Sequence, residues 1–351
     1  MYRFLYISLG LFILTACGAS GSDSNVGTTR QTLDLNSDSD NCGAVGYACV
    51  GGRSCDTGKC LPAWLPISTV NAPTPRGVAA AAAIDGKYVI LGGCSSSDYN
   101  APPEASTAAY DPVTDSWNSL PDLNSPRAQH SAVSTPYGVF TYGGLASCWD
   151  GYYLDRGMEQ LPNISSTSWI QSSIDNAPPS SYNTGMAWKD NSLMIFGGST
   201  NEAAGIYNSG LYDPVHETWQ DSSCLNEGCE RTGGVQMFAD GISVHIYSGG
   251  STGLSYEGGY WFPWDAPESL NAFYGSRQSD DGRRLYSIST NGVAIYDRST
   301  AETISDSSTM PSGICPEGPS AWTGSELIVY SGICGDGFSA VGGRYQPPAP
   351  Q

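Results

Sequence analysis

Eleven cysteines supply the densest reactive chemistry in this chain. Four of them, Cys42, Cys49, Cys55 and Cys60, fall within 19 residues, with Gly and Asp between them. A peptide that short cannot bury an apolar core, so cross-links must hold it. Thiolate ligation of zinc is the rival, but no His lies in the segment; two disulfides are expected, and all three pairings are open. Asp34, Asn36, Asp38 and Asp40 alternate like the start of a calcium-binding loop. Such a loop wants Gly at 39 and an acid at 45, where Ser39 and Val45 stand, so calcium is not expected. His130, His216 and His245 are the only histidines, and no two have ligand spacing. No Gly-x-Ser-x-Gly elbow, phosphate loop or His-Glu-x-x-His pair occurs. Loop carboxylates that meet across a surface would suit glycoside hydrolysis, which keeps catalysis open. Neither a cofactor nor a metal is expected.

The elements that must position these residues show themselves by repetition. Short apolar runs end in Gly-Gly at Gly92-Gly93, Gly143-Gly144, Gly197-Gly198 and Gly249-Gly250, the second glycines lying 51, 54 and 52 residues apart. A period of that size is the mark of a blade array. Alternating stretches such as Lys87-Tyr88-Val89-Ile90-Leu91 read as strands. Gly-Gly permits positive φ and close backbone approach, and Asp-Pro starts a turn. From Gly250 to Gly332 is 82 residues, or two repeats of about 41. The unit between them, Leu285-Tyr286-Ser287-Ile288 followed by Val293 to Asp297, lacks Gly-Gly but keeps the Tyr-Asp turn, giving six units.

Within a unit the order is Arg and His before a first strand (Arg127, His130), Gly-Gly ending a second, Tyr-Asp-Pro on a third, and Trp on a fourth. Tyr110 precedes Trp117, and Tyr212 precedes Trp219, by seven residues each. This set resembles the kelch motif over roughly residues 62–347. The resemblance implies an all-β fold: a six-bladed kelch-type β-propeller in which Trp117, Trp169 and Trp219 are core. Copper oxidases built on kelch blades need two His and a Tyr–Cys cross-link, and no such set is apparent; sialidase Asp boxes are absent too. The last unit reaches Arg344-Tyr345-Gln346-Pro347 without a Trp strand, while Ala63-Trp64-Leu65-Pro66-Ile67 precedes the first unit. Residues 63–69 are therefore expected to form the outer strand of the sixth blade and close the ring.

With four antiparallel strands per blade, the loops after strands two and four share one face. Cys94, Cys148, Cys224, Cys229, Cys315 and Cys334 all fall there, and the expected pairs are Cys94–Cys148, Cys224–Cys229 and Cys315–Cys334. Braced loops on a rigid scaffold are where function concentrates. The candidate binding face is Asp98, Tyr99, Trp149, Asp150, Tyr152, Glu202, Tyr256, Glu257 and Asp336, with Glu104 beside them. Rings that stack and carboxylates that accept hydrogens suit a sugar or a peptide.

The formal charge of −19, with 15 Lys and Arg, argues against nucleic acid. Phe4 to Leu14 is an apolar stretch of 11 residues behind Arg3, too short to span a bilayer. It leads into Leu14-Thr15-Ala16-Cys17-Gly18, which resembles a bacterial lipoprotein cleavage box with Cys17 as the lipidated residue. Removing Cys17 leaves ten cysteines, an even number, as in an oxidising compartment. The expected organisation is a signal peptide at 1–16, a lipidated Cys and flexible linker at 17–41, a Cys-rich module at 42–60 and the propeller at 61–348. The expected protein is a monomer, held to the outer membrane of a bacterial envelope by its N-terminal lipid. It is read as a non-enzymatic binding or adhesion module for a protein or glycan; a sugar-active enzyme, such as an isomerase like the six-bladed sialic acid mutarotases, is the alternative.

Overall fold

The computed structural model describes residues 34–45, 49, 53–98, 100–149, 157–199, 209–222, 236–239, 243–247, 252–265, 278–280, 282–289, 292–300, 302–308, 310–335 and 337–347. The expected signal peptide at 1–16 and Cys17 lie outside these residues, as do Cys224 and Cys229. Among the described residues there is no helix.

The Cys-rich unit begins earlier than its cysteines. The Gly43 amide donates to the Leu35 carbonyl at 2.7 Å, Gly58 N to Asn36 O at 3.2 Å and Cys49 N to Ser39 O at 2.7 Å. Residues 34–41, expected in a flexible linker, are thus folded onto the knot from Asp34 onward. The cause is local: Asp34 Oδ1 accepts from Asn36 N and Asp38 Oδ1 from Asp40 N, two successive Asx turns. The disulfides are Cys42–Cys55 and Cys49–Cys60, beside a hairpin of β1 (Cys55–Asp56) and β2 (Lys59–Cys60). The sulfurs of Cys42, Cys49 and Cys60 lie within 4.8 Å of one another, but each is in a disulfide and offers no thiolate to a metal.

After β3 (Ala63–Pro66) come the blades. Blade one is β4 (Ala80–Ile84), β5 (Lys87–Leu91), β6 (Thr107–Asp111) and β7 (Ser116–Leu120). Blade two is β8 (Ser131–Thr135), β9 (Gly138–Tyr142), β10 (Met158–Leu161) and β11 (Ile170–Gln171). Blade three is β12 (Gly185–Lys189), β13 (Ser192–Phe196), β14 (Ser209–Asp213) and β15 (Thr218–Asp221). Blade four is β16 (Gln236–Ala239), β17 (Val244–Tyr247), β18 (Thr252–Glu257) and β19 (Tyr260–Asp265). Blade five is β20 (Gln278–Asp280), β21 (Arg284–Ser289), β22 (Gly292–Asp297) and β23 (Glu302–Asp306). Blade six contains β24 (Ser320–Trp322) and β25 (Leu327–Tyr330). A ribbon of β26 (Ile333–Cys334) and β27 (Gly337–Phe338) leads on to its third strand, β28 (Gly342–Gln346). The fourth strand of blade six is β3, paired antiparallel with β28 as Arg344↔Leu65, Tyr345↔Trp64 and Gln346↔Ala63. Six four-stranded antiparallel sheets thus form a ring, first strands innermost: β4 packs beside β8 and β24, and β12 beside β8 and β16.

The core is six wedges, one between each pair of neighbouring blades. Tyr88, Ile90 and Trp117 meet Ile328 and Tyr330 where blade one touches blade six. Val89 and Leu91 meet Val139 and Trp169 between blades one and two. Phe140 and Tyr142 meet Ile195 and Tyr212, and Met194 and Phe196 meet Ile246 and Trp261. Phe238 meets Leu285 and Tyr296 between blades four and five, and Ile288 and Ile295 meet Val329 and Tyr345 between five and six.

In blades one to four the fourth-strand Trp also ties its blade to the one before. The indole N–H of Trp117 donates to Ser68 O at 2.8 Å, that of Trp169 to Pro121 O at 2.9 Å, that of Trp219 to Ser173 O at 2.8 Å and that of Trp261 to Ser222 O at 2.7 Å. A second tie explains the paired glycines. Gly93 N donates to Arg127 O at 2.8 Å, Gly144 N to Ser181 O at 3.0 Å and Gly332 N to Arg76 O at 3.0 Å, so each turn bonds to the lead-in of the next blade. Gly92 has φ 59°, and a Cβ there would strike the Arg127 carbonyl and the His130 ring. Arg76 and Arg127 are buried beneath these turns. Arg76 donates to the carbonyls of Thr74, Gly92 and Ser106; Arg127 donates to those of Gly143 and Gly157 and pairs with Glu159.

Candidate functional site

Cross-links brace the described loops that follow second and fourth strands. Cys94, just past Gly92-Gly93, bonds Cys148 in the equivalent loop of blade two, across 54 residues of chain. Cys148 N donates to Ala101 O at 3.0 Å, and Trp149 packs half-buried against the cluster of Cys94, Ala128 and Cys148. The Trp149 indole reaches Ser96 O at 3.4 Å. Trp149 therefore joins the two loops. Asp98 is exposed in the same pair of loops, with one carboxylate oxygen accepting from Asn100 N at 3.1 Å. Glu104 accepts from the hydroxyls of Ser95 and Ser106, and its N–H donates to Gly93 O.

The other described bridge of the propeller, Cys315–Cys334, ties the connection between blades five and six to the loop after β25. Beside it opens a cleft of about 470 Å³, lined by Ser307, Ser308, Met310, Pro311, Ile314, Cys334 and their neighbours. That size falls in the range of small-ligand sites. Asp306 accepts from Ser308 N at 2.8 Å and Ser308 Oγ at 3.1 Å, fixing the lip. Met310 also packs against the wedge between blades five and six. The lining pairs hydroxyls with apolar groups and holds no ionisable side chain. It suits an uncharged ligand with an apolar face, oriented by hydroxyls.

The expected binding face is only partly brought together. Asp98 and Trp149 share one loop pair. Tyr99, Asp150, Tyr152, Glu202 and Asp336 lie outside the described residues. Tyr256 and Glu257 do not join that face: they end β18, and the Gly258-Gly259 turn to β19 opens on the opposite side of the blade. The reason is that the chain resumes strand pairing at Thr252, directly after the Gly-Gly of blade four, leaving no long loop there. Tyr256 is half-buried with its ring 4.9 Å from that of Trp261, and burial pushes its phenol pKa up. The cleft residues 307–316 carry no sequence motif: they include neither aromatics nor, apart from Cys315, any group with reactive chemistry. The available signal was length: about a dozen residues without regular structure separate β23 from β24.

The three histidines sit in three separate blades. His130 is buried under Gly92, His216 Nδ1 pairs with Asp213 at 2.7 Å in a turn, and His245 Nδ1 meets Ser255 Oγ at 2.7 Å.

Against known proteins, the family model of the Kelch motif matches residues 75–124. That segment runs from Pro75, beside the buried Arg76, through all four strands of blade one. The fold is a six-bladed kelch-type propeller. No curated protein matches the chain.

Proposed function

We propose that this protein is a lipid-anchored binding module of the bacterial envelope, which offers its loop face to a protein or glycan. The observation that carries the reading is the bracing of that face: Cys94–Cys148 joins two blades, and Cys315–Cys334 borders a cleft of ligand size. A rigid ring with cross-linked loops holds a recognition surface ready, which lowers the ordering cost of binding. The anchor rests on the apolar stretch Phe4 to Leu14 followed by Leu14-Thr15-Ala16-Cys17. Mass spectrometry of the N-terminal peptide should find acyl chains on Cys17, and Cys17→Ser should release the protein from membranes. A Cys17 peptide without lipid, from cells of the native host, would refute the anchor.

The binding reading is tested by titrating the protein against arrayed glycans and envelope proteins, with and without reductant. Saturable binding that weakens on reduction is expected. Turnover of free sugars without any binding partner would refute the reading. The paired substitution Cys94→Ser with Cys148→Ser should cost about 2–4 kcal/mol of stability, measured by denaturant unfolding. Unchanged stability would show that the bridge does not restrain these loops.

A further inference from the structure

The outer strand of blade four departs from its siblings. Trp261 pairs with Tyr256 as Trp117 does with Tyr110 and Trp219 with Tyr212, so the fourth strands align residue by residue. In that alignment Tyr260 and Phe262 stand where blade one has Ser116 and Asn118, and blade three has Thr218 and Gln220. Tyr260 is 70% exposed and Phe262 48%. Blades two and five carry exposed Ile170 and Ile304 at the position of Phe262, so what sets blade four apart is the ring at Tyr260 and the pair of rings it makes with Phe262; two exposed rings on one strand mark a binding surface.

The seam beside them is also altered. In blade five the residue paired with the Tyr of the third strand, Tyr296, is Thr303, so the indole that wedges the other blades is missing. Trp264 packs from the blade-four side against Phe238, Leu285 and Tyr296. Tyr260 and Phe262 share the strand face of Trp264 by the two-residue period, about 6.8 Å apart, and carry that stripe outward into water. Glu257, exposed and directly opposite Tyr260, supplies a carboxylate on the same face, with Ser243 Oγ 3.4 Å from one of its oxygens.

We propose that this stripe is a carbohydrate-binding site in which pyranose rings stack on Tyr260 and Phe262 while Glu257 accepts hydrogens from their hydroxyls. It is separate from the loop face and does not depend on it. Two flat rings beside an acceptor match the apolar face and hydroxyl rim of a sugar. Pro263 argues against a strand-shaped partner. It lies opposite Leu254 and cannot donate into the ladder, so its nitrogen faces the free edge of β19. An added peptide or second copy would find no N–H there.

The test is calorimetric titration of the full chain, in a detergent that contains no sugar, with β-1,4-linked hexasaccharides of glucose, N-acetylglucosamine and xylose. At least one should bind saturably. Replacing the pair with the residues of blade one, Tyr260→Ser with Phe262→Asn, should weaken that binding about tenfold or more at unchanged melting temperature. Phe262→Trp should retain binding and so guards against a general defect. Three outcomes overturn the proposal: none of the hexasaccharides binds, binding ignores the double substitution, or the substitution changes the sedimentation of the protein, which would make a second copy the occupant. If Met310→Ser in the loop cleft abolishes sugar binding while the double substitution leaves it intact, the rim site fails and the loop-face reading stands.

Discussion

A chain that begins at Val70 is expected to lose its cooperative fold, whereas one that begins at Leu61 keeps it. The difference between them is β3 and the residues just after it. Trp64 packs against Tyr345 with ring centroids 5.3 Å apart, and Ile67 is buried in the wedge between blades six and one. Ser68 accepts the Trp117 indole N–H, and its own N–H donates to Asp115 Oδ1 at 2.9 Å. Deletion strips the outer edge of β28, opens one wedge and unties blade one from blade six. Losing the half-buried Trp64 and the buried Ile67 alone removes about 3–4 kcal/mol of apolar burial. That is a large part of the whole stability of a typical domain, about 5–15 kcal/mol. Thermal unfolding of the two chains decides the matter, and equal melting temperatures would show that β3 is not what closes the ring.

Glu159→Ala should be the most damaging single substitution in the scaffold. Arg127 and Glu159 are fully buried side by side beneath the second Gly-Gly turn. The Glu159 carboxylate also accepts from Asn124 N at 2.7 Å and Ser125 N at 3.2 Å. Removing it strands a buried guanidinium and two backbone donors, a loss of about 3–5 kcal/mol. Arg127→Met combined with Glu159→Leu should recover only the part due to the unpaired charge, because Asn124 N and Ser125 N still lack an acceptor and the carbonyls of Gly143 and Gly157 lose their donor. Denaturant unfolding of the three variants separates the effects. A cost below about 1 kcal/mol for Glu159→Ala would mean that water reaches the pair.

Much of the ring was legible in the sequence because blade building is repetitive. Gly-Gly, Tyr-Asp and Trp recur in a fixed order, and each recurrence reports the same contact: a turn against the next lead-in, a turn start, a wedge. Where a motif is missing the structure supplies a reason. Blade five makes a tight connection from Ser289 to Gly292, with no room or need for Gly-Gly. The site was far less legible. The pairing in the Cys-rich unit depends on how residues 34–41 fold over it, and their Asx turns look like ordinary linker composition. Tyr256 and Glu257 lie on the opposite side from the long loops because one short turn, rather than any residue type, decides which way a strand end points. The cleft near Met310 is shaped by backbone and small side chains, which carry no signature in a one-dimensional reading. Tyr260 and Phe262 stand out only once the register of β19 against its siblings is known.

The splice between β3 and β28 also settles where the ring would tear under force. A load drawn through the N-terminal segment passes along a knot that two disulfides render inextensible. It then arrives at Ala63, the first residue of β3, which pairs with Gln346 near the far end of the chain. The four residue pairs of this ladder, with Trp64 packed against the wedge between blades five and six, must part before the load reaches Ile67 and Ser68, which join blade one. The Arg53 side chain, reaching from the knot to the Pro347 carbonyl at 3.3 Å, sits across the point where parting would start. Tethered at that end, the molecule would act as a ring with one mechanical clasp, loaded first by tension along its N-terminal segment.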